Sequence, residues 1–572
     1  MSEANLGLDR SGNNNHFAVV NMTLAVDQVV DSPTNNFATL NSLNADTEEL
    51  REGNLLIKSR VDGSGNGFSK STIAIPKTGK WYTEYLYSSG NTGAGIGIAL
   101  ASVGAGSATG NYYFPAVSKK YTISGTTYSD QGSYGASWNV GTIIGIAMDS
   151  DNTQITFYKN NATQGVAFTG LNDEYVFANA TVGGAVNEGV WNFGQDSSFA
   201  GNKVSQGNTD GNGIGDFFYE PPSGFLALCT DNLSESAVVP SNNFAATLYE
   251  GNGSTQDIAV GFQPDLTWIK NRDANDSHAL VDSIRGVTEE LTPDTNAAEV
   301  ANDDGLTAFI TTGFSLGDDV KYNTNNESYV SWNWRAGATE LGTGDFTQGS
   351  IASTCRRNVE AGFSIVEYTG TQTNGTVGHG LSKAPDFVFM HHRNSTGGWA
   401  TFNSGLGATV NLDISTTGGS NDEAEIWQDT APSATLVTIG NTTYNNKDDE
   451  IYVMYCFHNV EGFSKFGVYT GNGAADNAFV YTGFRPAFVY IKSTANSTPW
   501  MMWDTERDPD NPVINYLLSE ANNVEDDSVG DNTIDILSNG FKIRTAAADM
   551  GTAVVHAYVA FAETPLKYSN GR

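Results

Sequence analysis

Tyr249-Glu250-Gly251-Asn252-Gly253, Tyr368-Thr369-Gly370 and Tyr469-Thr470-Gly471-Asn472-Gly473 open three copies of one pattern, roughly 100 to 120 residues apart in the C-terminal part of the chain. Each copy runs on to an apolar segment behind a proline. These are Pro264-Asp265-Leu266-Thr267-Trp268-Ile269-Lys270, Pro385-Asp386-Phe387-Val388-Phe389-Met390-His391 and Pro486-Ala487-Phe488-Val489-Tyr490-Ile491-Lys492. Each closes on Tyr329-Val330-x-Trp332, Tyr452-Val453-x-Tyr455 or Tyr558-Val559-x-Phe561, where aromatics at alternate positions fit one buried face of a β-strand. A unit of this length is a domain, not a solenoid turn. Arrays of such domains usually project a binding surface, and an enzyme seldom needs its scaffold three times over.

The composition agrees with strands. The 572 residues hold 63 glycines, only 16% of them are charged, and Asn, Ser and Thr are abundant, whereas helices favour Ala, Leu, Glu and Lys. At roughly 150 residues per domain the length allows about four domains. The predicted fold class is all-β, a tandem of β-sandwiches. The formal net charge is -35, which repels nucleic acid phosphates and anionic membranes, so nucleic acid is not expected as a partner. Cys229, Cys355 and Cys456 are an odd number, widely spaced and without a CxxC pair, and read as buried free thiols. No apolar run reaches 18 residues and the start lacks a basic, apolar leader, so neither membrane insertion nor a secretory signal is expected.

Residues 1–45 read as a polar arm and connector, with Asp9-Arg10-Ser11-Gly12-Asn13-Asn14-Asn15-His16-Phe17 and Pro33-Thr34-Asn35-Asn36-Phe37-Ala38-Thr39-Leu40. The second phrase is echoed by Pro240-Ser241-Asn242-Asn243-Phe244-Ala245-Ala246-Thr247-Leu248, just ahead of the first repeat, and reads as a connector that docks consecutive domains. Residues 46–225 alternate apolar and polar positions, as in Trp81-Tyr82-Thr83-Glu84-Tyr85-Leu86-Tyr87, with turn residues every 8 to 12 positions. Within them, Gly79-Lys80-Trp81-Tyr82-Thr83-Glu84-Tyr85, Gly95-Ile96-Gly97-Ile98-Ala99, Ile144-Gly145-Ile146-Ala147-Met148-Asp149 and Ile155-Thr156-Phe157-Tyr158-Lys159-Asn160-Asn161 occur in the order and spacing of a SPRY domain. That resemblance covers roughly 130 residues and implies a bent β-sandwich whose loops bind protein partners without catalysis. Asn160-Asn161 replaces the usual Asn-Gly hairpin.

Two prolines in Tyr219-Glu220-Pro221-Pro222-Ser223-Gly224-Phe225 place a boundary near 225. The repeats then span 226–340, 341–461 and 462–572. The Gly-, Thr- and Ser-rich stretch Ala336 to Glu360 reads as a moderately flexible linker at the head of the second, while Asn459-Val460-Glu461-Gly462-Phe463-Ser464 leaves no slack before the third. The Asn-Asn-Phe connector, the SPRY-like segment, the Pro-Pro-Ser-Gly-Phe-x-Ala-Leu-Cys phrase and the Tyr-Thr-Gly repeats together resemble large structural proteins of marine bacteriophages, over nearly the whole chain.

Motifs with chemical potential are few. Gly313-Phe314-Ser315-Leu316-Gly317 matches a hydrolase elbow, but the third copy has Gly540-Phe541-Lys542 in its place, without a hydroxyl, and no helix is predicted to follow either. Gly93-x-Gly95-x-Gly97 precedes a strand, not the helix a phosphate loop requires. The seven histidines lack metal-ligand spacing. Asn208, Asp210, Asn212 and Asp216, on alternate positions around glycines, are calcium candidates; no other cofactor is expected. Trp332, Trp334, Trp399, Trp500 and Trp503 are candidates for stacking on sugars, with burial in strands as the competing reading.

The expectation is a non-enzymatic virion structural protein: a bacteriophage tail fibre or adhesin that displays loops for host attachment and contacts other virion proteins and a host surface glycan or protein. The resemblance implies a homo-oligomer, with a trimer favoured, made in the host cytoplasm and carried on the virion. Two alternatives stand beside it, a capsid decoration or head-fibre protein and a glycan depolymerase.

Overall fold

The computed structural model describes residues 29–568 apart from 33, 46–47, 60–66, 91–93, 105–106, 108, 115–116, 126, 182–186, 496 and 528–531, together with Leu8, Asn15, His16 and Ala18. Most of the Asp9–Phe17 phrase therefore lies outside the described residues. Strands dominate, and the α-helices of the described chain are single turns such as Val320–Asn323 and Ala424–Trp427. The all-β expectation holds. Among the described residues no helix is long and apolar enough to cross a membrane.

The chain forms two compact units, Met1–Ser234 and Glu235–Arg572. In the first, one sheet runs in the order Glu48–Arg51, Leu56–Ser59, Asn187–Asn192, Lys80–Gly90, Ile143–Asp149, Gln154–Lys159, Ala162–Thr169. The second runs Gly67–Lys70, Tyr175–Thr181, Ala94–Leu100, Gly110–Phe114, Lys119–Ser124, Thr127–Ser133. Ile98, Ile146, Phe157 and Phe177 are fully buried. Asn160 and Asn161 have φ of 44° and 67°, the left-handed pair of a tight hairpin, which asparagine tolerates without glycine. At Gly97 an added Cβ would stand 2.0 Å from the Asn111 carbonyl oxygen, so the glycine serves close strand packing.

The arm and the boundary differ from expectation. From Asn36 the chain is part of the sandwich unit: Phe37 is buried with Tyr82, Phe217 and Cys229, and the Ala38 amide donates to the Leu228 carbonyl (2.9 Å). The Pro-Pro-Ser-Gly-Phe phrase therefore belongs to the first unit, whose limit is Ser234, not residue 225. Glu84 ties this segment down. Its buried carboxylate accepts the Phe218 and Tyr219 amides (2.8 Å each) and the Asn192 side chain (3.1 Å). The second Asn-Asn-Phe phrase anchors Phe244 in the core of the other unit, so each copy of the connector fixes the start of its own unit.

In each repeat of the second unit four strands lie side by side: the opening strand, the closing strand, the strand after the proline and its hairpin partner. These are Phe244–Glu250, Ser328–Trp334, Leu266–Asn271 and Ala279–Asp282 in the first repeat. The second has Phe363–Thr369, Ile451–Phe457, Phe387–His392 and Ala400–Asn403, and the third Ser464–Thr470, Val555–Pro565, Phe484–Ser493 and Trp500–Asp504. One face of each sheet is covered by a smaller sheet, with a private core around Phe314, Val388 or Phe541. The opposite faces share one cluster, to which Trp268, Trp332 and Trp334, Phe387, Phe389 and Tyr455, and Phe488, Tyr490 and Phe561 all contribute. Each repeat thus has a core of its own and contributes to a second core held in common. Each inner sheet is apolar on both faces, and its second face is satisfied only by the other two repeats.

The Tyr-x-Gly turn has a physical cause. Tyr249, Tyr368 and Tyr469 stack on Tyr329, Tyr452 and His556 at interplanar angles of 7°, 9° and 9°. Their hydroxyls donate to the Tyr322, Asn445 and Met550 carbonyls. A Cβ on Gly251, Gly370 or Gly471 would lie 2.1, 2.1 or 2.2 Å from the carbonyl oxygen of Thr324, Lys447 or Thr552. Only glycine allows that approach. The stacking also corrects the third repeat: His556-Ala557-x-Val559, not Tyr558-Val559-x-Phe561, is the counterpart of Tyr329-Val330-x-Trp332.

The repeats dock head to tail and close into a ring. The Trp399 indole of the second repeat donates to the Thr295 carbonyl of the first (3.1 Å), and the Trp500 indole of the third to the Asp413 carbonyl of the second (2.9 Å). The His278 Nε2 of the first meets the Leu518 carbonyl of the third (2.9 Å). Carboxylates bridge two of the seams. Glu299 joins Arg285 (2.9 Å) to Arg393 (2.7 Å), and Glu525 joins Arg507 (2.9 Å) to Arg272 (2.6 Å). The expected linker is also structured: Ser353–Asn358 is a strand added to the opening strand of the second repeat, and Phe346 and Ile351 are buried. Its glycine and threonine content conceals an apolar set, Phe346, Ile351 and Cys355, that fills the private core.

Candidate functional site

At one end of the sandwich three connections converge: the residues before Lys80–Gly90, the turn between Ile143–Asp149 and Gln154–Lys159, and the loop before Tyr175–Thr181. They enclose a cleft of about 200 Å³. Its floor is apolar, with Ile75, Met148, Leu171 and Tyr175 all buried. Its rim is polar: Lys77, Asn172 and Asp173 are exposed. The walls are held from beneath. The Ser150 hydroxyl donates to the Pro76 carbonyl (2.7 Å) and its amide to the Gly79 carbonyl (3.0 Å), while the Ile75 amide donates to the Tyr175 carbonyl (2.7 Å). Thr153 has φ of 50° and receives the Leu171 amide on its carbonyl (3.0 Å), which fixes the turn against the opposite wall.

The charges around the cleft are set by neighbours. Burial pushes the Asp149 carboxyl up, but the Asn152 side chain and the Lys80 ammonium at 3.2 Å more than offset it, and the group ends below its ordinary value. Burial, then the Asp173 carboxylate, raises the Tyr175 phenol. Among the described residues Ser150 is the serine lining the cleft, it spends its proton on a carbonyl, and no His or Cys lines the walls. An apolar floor, a fixed polar rim and opposite charges at Lys77 and Asp173 suit recognition of a side chain or short segment.

The residues nominated from sequence lie elsewhere. Asp210 accepts the Asn212 and Ile214 amides on Oδ1 and the Ala227 amide and Asn232 side chain on Oδ2. Asp216 accepts the Ser197 hydroxyl and the Ser197 and Gly207 amides, and the Asn208 side chain donates to the Phe217 and Phe218 carbonyls. The Asp210 and Asp216 oxygens thus serve as turn acceptors, and the Asn212 side chain donates to Asn232 (2.9 Å); among the described residues no group of three or more His, Cys, Asp or Glu converges on a metal position. The tryptophan assignment is corrected outright. Trp332, Trp399, Trp500 and Trp503 are at most 1% exposed and Trp334 5%, so none presents a face to a sugar. Ser315 lies in a strand and donates to Asp257 (2.6 Å). Lys77, Ser150 and Asp173 lie outside the SPRY-like phrases of the sequence, in the connections that flank them.

Residues 239–565 match DUF7483, a domain of unknown function, over more than half of the chain. The chain belongs to the DUF7483 family. Residues 80–196 match the SPRY domain, so the sandwich unit carries a SPRY domain ahead of the DUF7483 ring. Among solved structures, the SPRY domain of human HERC1 is similar at 13% identity and a TM-score of 0.23, covering 27% of this chain and 96% of its own. A human SPRY domain is similar at 14% identity and a TM-score of 0.21, covering 26% and 95%. The carbohydrate-binding module CBM66 from Bacillus subtilis is similar at 14% identity and a TM-score of 0.22, covering 27% and 93%. No curated protein matches the chain.

Proposed function

We propose that this chain is a non-enzymatic display protein of a bacteriophage particle, an exposed fibre or adhesin in which the DUF7483 ring is a rigid base and the SPRY cleft a recognition surface for a host-surface protein or glycan. The observation that carries the binding reading is the cleft itself: its floor is preformed, its rim is polar, and the Ser150 hydroxyl is engaged by a main-chain carbonyl. Preorganised walls lower the ordering cost of binding, and several copies on a particle turn weak contacts into avidity. The phage setting is supported by the resemblance of the connector, the SPRY-like segment and the Tyr-Thr-Gly repeats to phage structural proteins. Two experiments test the two halves. Antibodies raised against the ring should decorate intact particles, and host envelope fractions should retain the wild-type chain but not a Lys77→Glu, Asp173→Lys variant. Undecorated particles would remove the phage assignment, and equal retention of the variant would remove the cleft.

A further inference from the structure

The three opening strands of the ring occupy equivalent places at the side of their sheets; the second is paired along its length, and the third is capped over its first half. In the second repeat Ser353–Asn358 pairs along Phe363–Thr369, with Thr354 opposite Glu367 and Arg356 opposite Ile365. In the third, the Asn459 side chain caps the outward Phe466 amide (2.7 Å) and Val460 exchanges backbone bonds with Ser464. The first repeat has neither. Phe244–Glu250 ends its sheet. The flanking bonds, Arg335 amide to Asn243 carbonyl and Gly251 amide to Glu327 carbonyl, fix the phase so that odd-numbered residues bond inward. The amides and carbonyls of Ala246 and Leu248, counterparts of Ile365 and Glu367, therefore point outward, and no partner among the described residues takes them. Leu248 is 38% exposed and Glu250 is exposed.

An unfinished edge of this kind is a template for another strand, and folded proteins ordinarily cover or cap it. From this contrast within one molecule we infer that Phe244–Glu250 is a strand-addition site for an extended, basic segment of a partner protein. The second repeat supplies the pattern of the occupant. Its added strand reads Ser353-Thr354-Cys355-Arg356-Arg357-Asn358, with a small side chain directed into the sheet and two adjacent arginines. Glu250 at the strand end and the formal net charge of -35 favour the same sign of partner. Main-chain bonds would supply affinity and the arginines selectivity.

The test uses the full chain and a peptide of residues 350–360 carrying Cys355→Ser, read by fluorescence anisotropy and by hydrogen exchange. Saturable binding is expected, with new protection at the Ala246 and Leu248 amides. Ala246→Pro, which deletes an outward donor at an edge that tolerates proline, should weaken binding at least tenfold. A peptide with Arg356→Glu and Arg357→Glu should not bind. If Ala246→Pro fails to fold, the wild-type exchange pattern decides alone. No binding, protection confined to Ile365 and Glu367, or equal binding of the acidic peptide would overturn the inference. So would a chain that dimerises through Phe244–Glu250, which makes a second copy the occupant.

Discussion

Replacing Asp504 by Asn should cost the ring far more than replacing Asp504 and Arg507 together. Both side chains are fully buried; the Asp504 carboxylate accepts from Arg507 Nε (2.6 Å), from the Arg507 amide (2.9 Å) and, across a seam, from the Trp332 indole (3.0 Å). In Asp504→Asn the guanidinium keeps Glu525 (2.9 Å) and the Met502 carbonyl (2.8 Å) but loses the nearer and fully buried of its two carboxylates. Breaking a buried pair in this way costs about 3–5 kcal/mol. Spread over a unit of roughly 340 residues at about 2.1 cal/mol/K per residue, that lowers its Tm by about 4–7 °C. The second repeat already contains the compensated solution: Asn403 and Leu406 stand where the third has Asp504 and Arg507, and the Asn403 side chain donates to the Gly467 carbonyl (3.3 Å). The double variant Asp504→Asn, Arg507→Leu should therefore recover most of the loss, since apolar replacement of a buried pair is often neutral. Differential scanning calorimetry, with the SPRY unit as an internal reference, measures both. A double variant as damaged as the sum of its single changes would refute the equivalence of the seams.

Gly251→Ala should destabilise the ring by about 1–3 kcal/mol, because its Cβ would sit 2.1 Å from a carbonyl oxygen, while Gly342→Ala, which meets nothing within 4 Å, should stay within about 0.5 kcal/mol in urea melts. Burial raises the Glu84 carboxyl to about 7 against the hydrogen bonds that lower it. The folded unit then holds its proton more tightly than the unfolded chain, so this contribution is full below about pH 4.5 and is lost as pH rises to about 7; Glu84→Gln should flatten that slope. Burial lowers the Lys492 ammonium to about 8, the opposite sign, so its cost to the ring is relieved between about pH 8 and 10.5, and Lys492→Met should abolish that gain in a pH series of melts. Calcium should leave the Tm of the SPRY unit unchanged, since the oxygens of Asp210 and Asp216 are already occupied by protein donors; a rise with added calcium would restore the metal reading.

Much of the fold is legible in the sequence because strands announce themselves by alternation. Trp81 to Tyr87 and Ile155 to Tyr158 fall in the strands expected of them. Alternation fixes the face but not the absolute register, since a shift of two residues preserves it. That is why Tyr558-Val559 looks like the closing motif although His556-Ala557 fills its place. The fused core was also foreshadowed. Phe387-Val388-Phe389-Met390 and Phe488-Val489-Tyr490-Ile491 are continuous apolar runs, which a sheet with one wet face would not carry. Four of the five candidate tryptophans, Trp332, Trp334, Trp399 and Trp500, are buried in the shared core, which brings together residues about 100 apart, as Trp399 and Thr295 show, and local sequence carries no sign of that. The cleft is harder still: Lys77, Ser150 and Asp173 carry no motif and meet only because three turns share one end of the sandwich.

The DUF7483 ring begins and finishes at one point, where Lys567 pairs with Glu235 at 2.9 Å. A body whose two ends touch can be spliced into a surface loop of another protein without stretching its host, or cut open at a different turn and rejoined there. Threefold architecture normally demands three separately made subunits. Here one chain carries the three repeats, so closing the ring is free of the concentration dependence that governs assembly of separate subunits.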